Sequence, residues 1–354
     1  MEFNDEELAK LNLDMPIEME QHGFAPEQMV MCDACLRANP PTRSECLYCA
    51  APLPITEASL SLRQPTLRPL EKWEQGFNCI LMPTAHANSL PDEQLAEAAQ
   101  LLRIDVDVLK KLIETRKPLP LARATTQDDA TLIKNRLAAA QHAFDSLIIA
   151  DQELALESAP PVRLRTFEFT DEELIGHSIG DQGVVQASWE RIQLLVSGRL
   201  YVRRVEVQER SRRGRSEDEI VEAHEFGADE ALLDIYVELD GGEWSNWRVS
   251  SASFDFSCLT EKKSLLASQN FQTMIELLKE KPSAARFDDS YKDVRQLLSG
   301  VWPLEQHTDS RGWRRERPGK YSTEIINTST NEKQFTLYSR LQHYLLQREA
   351  DSAK

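Results

Sequence analysis

The stretch Cys32-Asp33-Ala34-Cys35-Leu36-Arg37-Ala38-Asn39-Pro40-Pro41-Thr42-Arg43-Ser44-Glu45-Cys46-Leu47-Tyr48-Cys49 decides how the first part of this chain folds. It holds two Cys-x-x-Cys pairs with ten residues between them. Such a pair turns tightly enough for both thiolates to face one ion, and two pairs complete a tetrahedral S4 shell with metal–sulfur bonds of ~2.3 Å. Cys32, Cys35, Cys46 and Cys49 are therefore expected to hold one structural Zn2+. Four thiolates leave no open coordination position, so the ion has no catalytic role. An iron centre of the rubredoxin type uses similar ligands, but the metals available in cells favour zinc. A segment this short has almost no core. Metal binding must supply most of its folding free energy, on the order of 10 kcal/mol at neutral pH.

The spacing Cys-x2-Cys-x3-Asn-x6-Cys-x2-Cys, with Asn39 inside it, resembles short bacterial zinc ribbons and the Ran-binding-protein-type zinc finger. Pro40 and the Pro52-Leu53 tail add to the likeness, which covers residues 30–54. The chain departs from these families in two ways. Val30 stands where the finger has Trp, and Leu36 and Ala50 stand where bacterial ribbons have Gly. The resemblance implies a docking module for protein or nucleic acid.

Working outward, residues 1–27 carry eight acids against one Lys and read as an acidic flexible arm ahead of a zinc ribbon at 28–54. Residues 55–72, with Pro, Ser and Thr and no clear period, read as a linker. Of the six cysteines, Cys79 and Cys258 stand alone in apolar runs and are expected to be small buried residues. A net charge of −17 excludes a uniformly basic nucleic-acid surface, since phosphate binding needs clustered Lys and Arg. Two local basic clusters remain, at 210–215 and 311–317, the second carrying Trp313. No apolar run approaches the ~20 residues of a membrane span. The acidic N-terminus is unlike a secretory signal, so a soluble, cytoplasmic protein is expected.

Residues 73–152 read as a compact β-α-α-β-α-β unit. Cys79–Met82 is a buried strand. Leu95, Ala98, Ala99 and Leu102 share one helical face over 91–103, and Val106, Leu109, Leu112 and Ile113 share another over 105–116. Leu119–Ala122 is a strand. Thr126 caps a third helix with apolar face Ala130, Ile133, Leu137 and Ala140, and Leu147–Ile149 closes the unit. That order, and the run Ala130-Thr131-Leu132-Ile133-Lys134-Asn135-Arg136-Leu137, resembles the C-terminal domain of the bacterial ribosomal stalk protein over residues 77–150. The family's Gly- and Lys-rich factor-binding turn is absent. Arg103-Ile104-Asp105-Val106-Asp107 stands in its place, so the resemblance implies the fold and not factor binding.

Residues 162–285 alternate as strands. Ala231, Leu233, Ile235, Val237 and Leu239 take one face, and Asp234, Glu238 and Asp240 the other. Gly241-Gly242 signals a hairpin turn. A helix over 264–280 is expected to bury Leu265, Phe271, Met274, Ile275 and Leu278. Strands closed by one helix suggest a small antiparallel barrel or half-barrel, with a pleckstrin-homology-like shape as one candidate. Residues 286–354 read as a C-terminal helical extension with a Trp- and Arg-rich turn. The fold class is thus α+β and multidomain.

Phosphate-loop, His-Glu-x-x-His and Gly-x-Ser-x-Gly motifs are absent, and the seven His are scattered singly. The function expected is therefore a non-enzymatic zinc-ribbon interaction or scaffold protein with a protein partner. The alternative is an RNA- or ribosome-associated binding factor.

Overall fold

The structure is a computed structural model. It describes residues 24–354 except 57–58, 60–61, 64, 66, 69, 72–73, 85–90, 140–143, 155–159, 181–182, 213–218, 282–284, 318–319 and 353–354. Of 208–222 and 311–324 it describes at most the backbone. Of the acidic arm expected over 1–27, residues 1–23 lie outside the described residues. The chain divides into two compact units, Met1–Gln64 and Pro65–Lys354.

In the first unit, β1 (Val30–Met31) pairs antiparallel with β2 (Ala38–Asn39), with Val30 opposite Asn39. A bridge joins Glu45 to Pro52. The apolar core holds little beyond Val30, Leu53 and the sulfurs of Cys32 and Cys46. The packing continues into the segment read as a linker. Arg63 is buried, and its guanidinium donates to the carbonyls of Leu53 (3.1 Å) and Ser44 (3.5 Å).

In the second unit the order β3 (Phe77–Met82), α1 (Asp92–Leu102), α2 (Val106–Glu114), β4 (Leu119–Ala124), α3 (Gln127–Ala139), β5 (Asp145–Ala150) follows the apolar periodicity. The three strands form an antiparallel sheet in the order β4-β3-β5. Leu95, Ala98, Ala99 and Leu102 of α1 are all buried, as are Leu109, Leu112 and Ile113 of α2. The α3 start is held by a reciprocal pair: the Asp129 amide donates to Thr126 Oγ1 (3.1 Å), and that hydroxyl donates to Asp129 Oδ2 (3.0 Å). On α3, Ala130, Ile133 and Leu137 are buried; Ala140 lies outside the described residues.

The other strands form one open mixed sheet of nine. They are β6 (Val162–Phe169), β7 (Glu173–Ser178), β8 (Val184–Ser188), β9 (Ile192–Arg212), β10 (Glu219–Glu238), β11 (Trp244–Ser250), β12 (Arg286–Asp288), β13 (Glu305–Arg317) and β14 (Lys320–Thr330). The order is β13-β14-β9-β10-β11-β6-β7-β8, with β12 alongside β9. This corrects two expectations. Among the described residues the strands do not close on themselves as a small barrel, because the terminal strands β13 and β8 each have one neighbour. Nor is 286–354 a helical extension, because it contributes β12, β13 and β14. The cause is the length of β9. Its first part pairs with β12 at Leu194–Val196, and its second part pairs with β14 from Val202 to Arg212. Arg311–Arg317 accordingly forms strand, not turn; backbone pairing with β14 sets the conformation, and no apolar alternation announces it.

Three helices complete the unit: α4 (Ala267–Glu280), α5 (Tyr291–Leu298) and α6 (Glu332–Ser352). On α4, Phe271, Met274, Ile275 and Leu278 are buried as the spacing requires. Leu265 is not; it is fully exposed. The helix begins only at Ala267, because Asn270 folds back on Ser264, accepting its amide (2.6 Å) and donating to its carbonyl (2.9 Å). Leu265 is left in the turn.

Over 232–237 of β10 the sheet is buried on both faces, which the alternation of β10 does not reveal. Leu233, Ile235 and Val237 pack in one core with α4 residues and Trp247. Leu232 and Tyr236 pack on the opposite face in a second core, with Leu194 and Val196 of β9. That second core also holds Phe335, Tyr338 and Leu341 of α6 and the apolar faces of α1, α2 and α3. Asp234, read as lying on the polar outer face, is therefore buried under α6. Gly198 of β9 lets α6 approach, since a Cβ there would lie 2.2 Å from Phe335 Cε2.

The boundaries drawn at 152–162 and 285–286 are crossed by this core. Polar links cross them too. Trp302 Nε1 donates to Asn78 Oδ1 (2.9 Å), and Asn78 donates on to Asp151 Oδ1 (2.8 Å). Within 286–354, Gln334 donates to the Trp302 carbonyl (2.8 Å) and accepts from the Tyr291 hydroxyl (2.9 Å). Asn331 donates to Tyr291 Oη and to the Arg199 carbonyl, both at 2.9 Å.

His343 of α6 stacks on Tyr236 (centroids 4.4 Å) and meets the edge of Trp244 (4.5 Å). Burial, then the Arg340 charge, pushes its imidazole down to about 4. Its folded value lies below the ordinary ~6.5, so it favours the fold in full above that pH, and the contribution is lost as pH falls through about 4. Wild-type protein is expected to lose about 2–3 kcal/mol from this group between pH 6.5 and 4. In His343→Phe, urea midpoints measured across that range should fall less steeply.

Candidate metal centre

Both Cys-x-x-Cys pairs form the same local structure. The Leu36 amide donates to the Cys32 carbonyl (2.8 Å), and the Cys32 amide to the Arg37 carbonyl (3.0 Å). In the second knuckle the Ala50 amide donates to the Cys46 carbonyl (3.0 Å), and the Cys46 amide to the Ala51 carbonyl (2.8 Å). Each turn needs a left-handed residue just after its second cysteine. Leu36 (φ 56°) and Ala50 (φ 57°) take that conformation, at the two positions where a glycine would adopt it without strain.

The two knuckles bring the four sulfurs together, all within 4.8 Å of one another. Cys32 and Cys49 Sγ are 3.6 Å apart, and Cys35 and Cys46 Sγ 3.5 Å. A tetrahedral S4 shell with ~2.3 Å bonds has sulfur–sulfur edges of about 3.8 Å, so the group can hold one metal ion. Among the described residues it is the only such cluster of Cys, His, Asp or Glu.

Asn39 ties the knuckles together. It is fully buried, its Nδ2 donates to the Arg37 carbonyl (2.8 Å) and toward Cys46 Sγ (3.5 Å), and its Oδ1 accepts the Leu47 amide (2.8 Å). The Tyr48 amide also points at Cys46 Sγ (3.4 Å). Desolvation raises the Cys46 thiol, but the amides of Tyr48 and Cys49 and the Cys35 and Asn39 side chains outweigh it and bring it down to about 6. At Cys35 the Arg37 amide lowers the value. Desolvation and the three neighbouring thiols prevail and push it up to about 12. Four thiols this close cannot all ionise without a cation among them. Such a donor set is made for a thiophilic ion.

Four large apolar residues next to the cysteines are exposed. Leu36 is 74% exposed, Leu47 and Tyr48 55% each, and Met31 51%. The Arg37 guanidinium lies 4.7 Å over the Tyr48 ring, which places the two knuckle tips side by side. The spacing of the cysteines is legible in the sequence, but the exposure of these apolar residues is not.

The remaining sequence candidates fall elsewhere. Cys79 is buried, and desolvation pushes its thiol up to about 12; Cys258 is half-buried and raised by the same cause. Both are poor nucleophiles in these surroundings. The side chains of 210–212 and 311–317, and all of 213–218, lie outside the described residues. No helix is long and apolar enough to cross a membrane among the described residues.

The fold and site define a mixed α+β protein with a nine-stranded sheet and a four-cysteine cluster able to hold one metal ion. No protein-family model matches the chain, and no curated protein or solved structure is significantly similar to it.

Proposed function

We propose that the chain is a non-enzymatic interaction or scaffold protein of the cytoplasm. Cys32, Cys35, Cys46 and Cys49 hold one structural Zn2+, and the face beside that ion docks a protein partner. The observation that carries this reading is the exposed group Met31, Leu36, Leu47 and Tyr48 on a module with almost no core. Leu36 gains nothing from burial and sits in a strained left-handed conformation, so a contact made outside the module is the physical use left to it. An S4 shell also leaves the ion without an open position for substrate.

Leu36→Ser with Leu47→Ser tests the reading. The double variant is expected to keep one zinc per chain by elemental analysis and to capture its protein partner from native cell extract at least tenfold less than wild type. Undiminished capture with zinc retained would contradict it.

An RNA-associated role has one observation in its favour, the Arg37–Tyr48 pair, which offers a stacking face beside a cation. Filter binding separates the two. RNA affinity that falls steeply with rising salt supports the RNA reading.

A further inference from the structure

A cavity of about 430 Å³ opens where the ends of β3 and β5 meet the last turns of α6. That volume is in the ~300–1,000 Å³ range of small-molecule sites. Met82, Leu147 and Leu345 give it an apolar side, and Lys134 and Arg348 bring two cations. In a chain with 58 acids against 41 Lys and Arg, a cation usually finds a carboxylate. Lys134 and Arg348 have none within 4.0 Å among the described residues. The nearby Glu349 is committed to Arg286 at 3.2 Å, which leaves Asp145 as the single carboxylate of the lining outside any ion pair.

We propose that this cavity binds a small amphipathic anion. Lys134 and Arg348 recognise a carboxylate or phosphate head, and Met82, Leu147 and Leu345 receive a short apolar body. A cationic ligand would meet two positive charges, and a purely apolar one would leave both cations without a partner. Beside an apolar wall the attraction is screened less than on an open surface.

Calorimetric titration of the full chain with hexanoate, hexyl phosphate, hexanol and inorganic phosphate tests the proposal. At least one of the two amphipathic anions is expected to bind tenfold or more tightly than both hexanol and inorganic phosphate, and the stronger of the two identifies the head group. Lys134→Ala with Arg348→Ala should weaken that binding at least tenfold at an unchanged melting temperature. Asp145→Asn should tighten it several-fold, and it reads the same electrostatics from the opposite sign if the double variant folds poorly. Anions that bind no better than hexanol overturn the proposal, as does a Kd indifferent to these charges.

Discussion

Cys46→Ala is expected to abolish stoichiometric metal and the fold of 24–63 together, while Pro65–Lys354 keeps its own melting transition. Cys46 is the hub of the site. It lies 3.5 Å from Cys35 Sγ, receives Asn39 Nδ2 and the Tyr48 amide, and is one of few buried groups in its core. Losing one of four thiolates forfeits most of a binding free energy on the order of 10 kcal/mol, and the apolar residues Val30 and Leu53 cannot replace it. Division into two compact units confines the damage to the first. Elemental analysis should find one zinc per wild-type chain and close to none in the variant. Trypsin should then cut at Arg37 and Arg43 in the variant while the second unit resists. Full zinc retention in the variant would sink the S4 assignment.

Asp234→Ala is expected to destabilise the second unit by about 3–5 kcal/mol, the usual cost of stripping one partner from a buried ion pair. Asp234 is 0% exposed and Arg248 4%. The pair is bidentate, with Nε to Oδ1 at 2.7 Å and Nη2 to Oδ2 at 2.8 Å. Arg248 also donates to Thr336 Oγ1 (3.0 Å) and reaches Glu332 at 3.4 Å, so it joins β10 and β11 to the start of α6. Without Asp234 the guanidinium stays buried under α6 with only the half-exposed Glu332 to balance it. The melting temperature should drop by ~10 °C, taking roughly 2–4 °C per kcal/mol for domains of 150–250 residues. Asp234→Leu with Arg248→Met should recover most of the loss, because it removes both charges. A single variant that melts within a degree of wild type would show that the pair contributes nothing.

The contrast between these two sites separates what is local from what is not. Cysteine spacing is a local code. Cys-x-x-Cys closes within one turn, so the S4 group could be read at 32–49 before any packing was known, and the structure draws those sulfurs together. Helical periodicity is local in the same sense. Leu95, Ala98, Ala99 and Leu102 are buried as their spacing requires, and Thr126 caps α3 as expected. The long strands are different. Arg311–Arg317 carries no alternation, and β9 gives no sign that its two halves have different neighbours.

Asp234 shows the same limit at a single residue. Amid apolar alternation an acid reads as solvent-facing, because burying a lone carboxylate is prohibitive. It is buried because Arg248, 14 residues away and across a hairpin, neutralises it, and because α6, about 100 residues on, covers them both. Spacing and periodicity, which act within a few residues, determined the four-cysteine cluster and the helices and strands described between 77 and 150. Only tertiary structure decided the open nine-stranded sheet, the second covered face and the shared core. Each of these depends on pairing and burial between segments far apart in the chain, and no local pattern records such contacts.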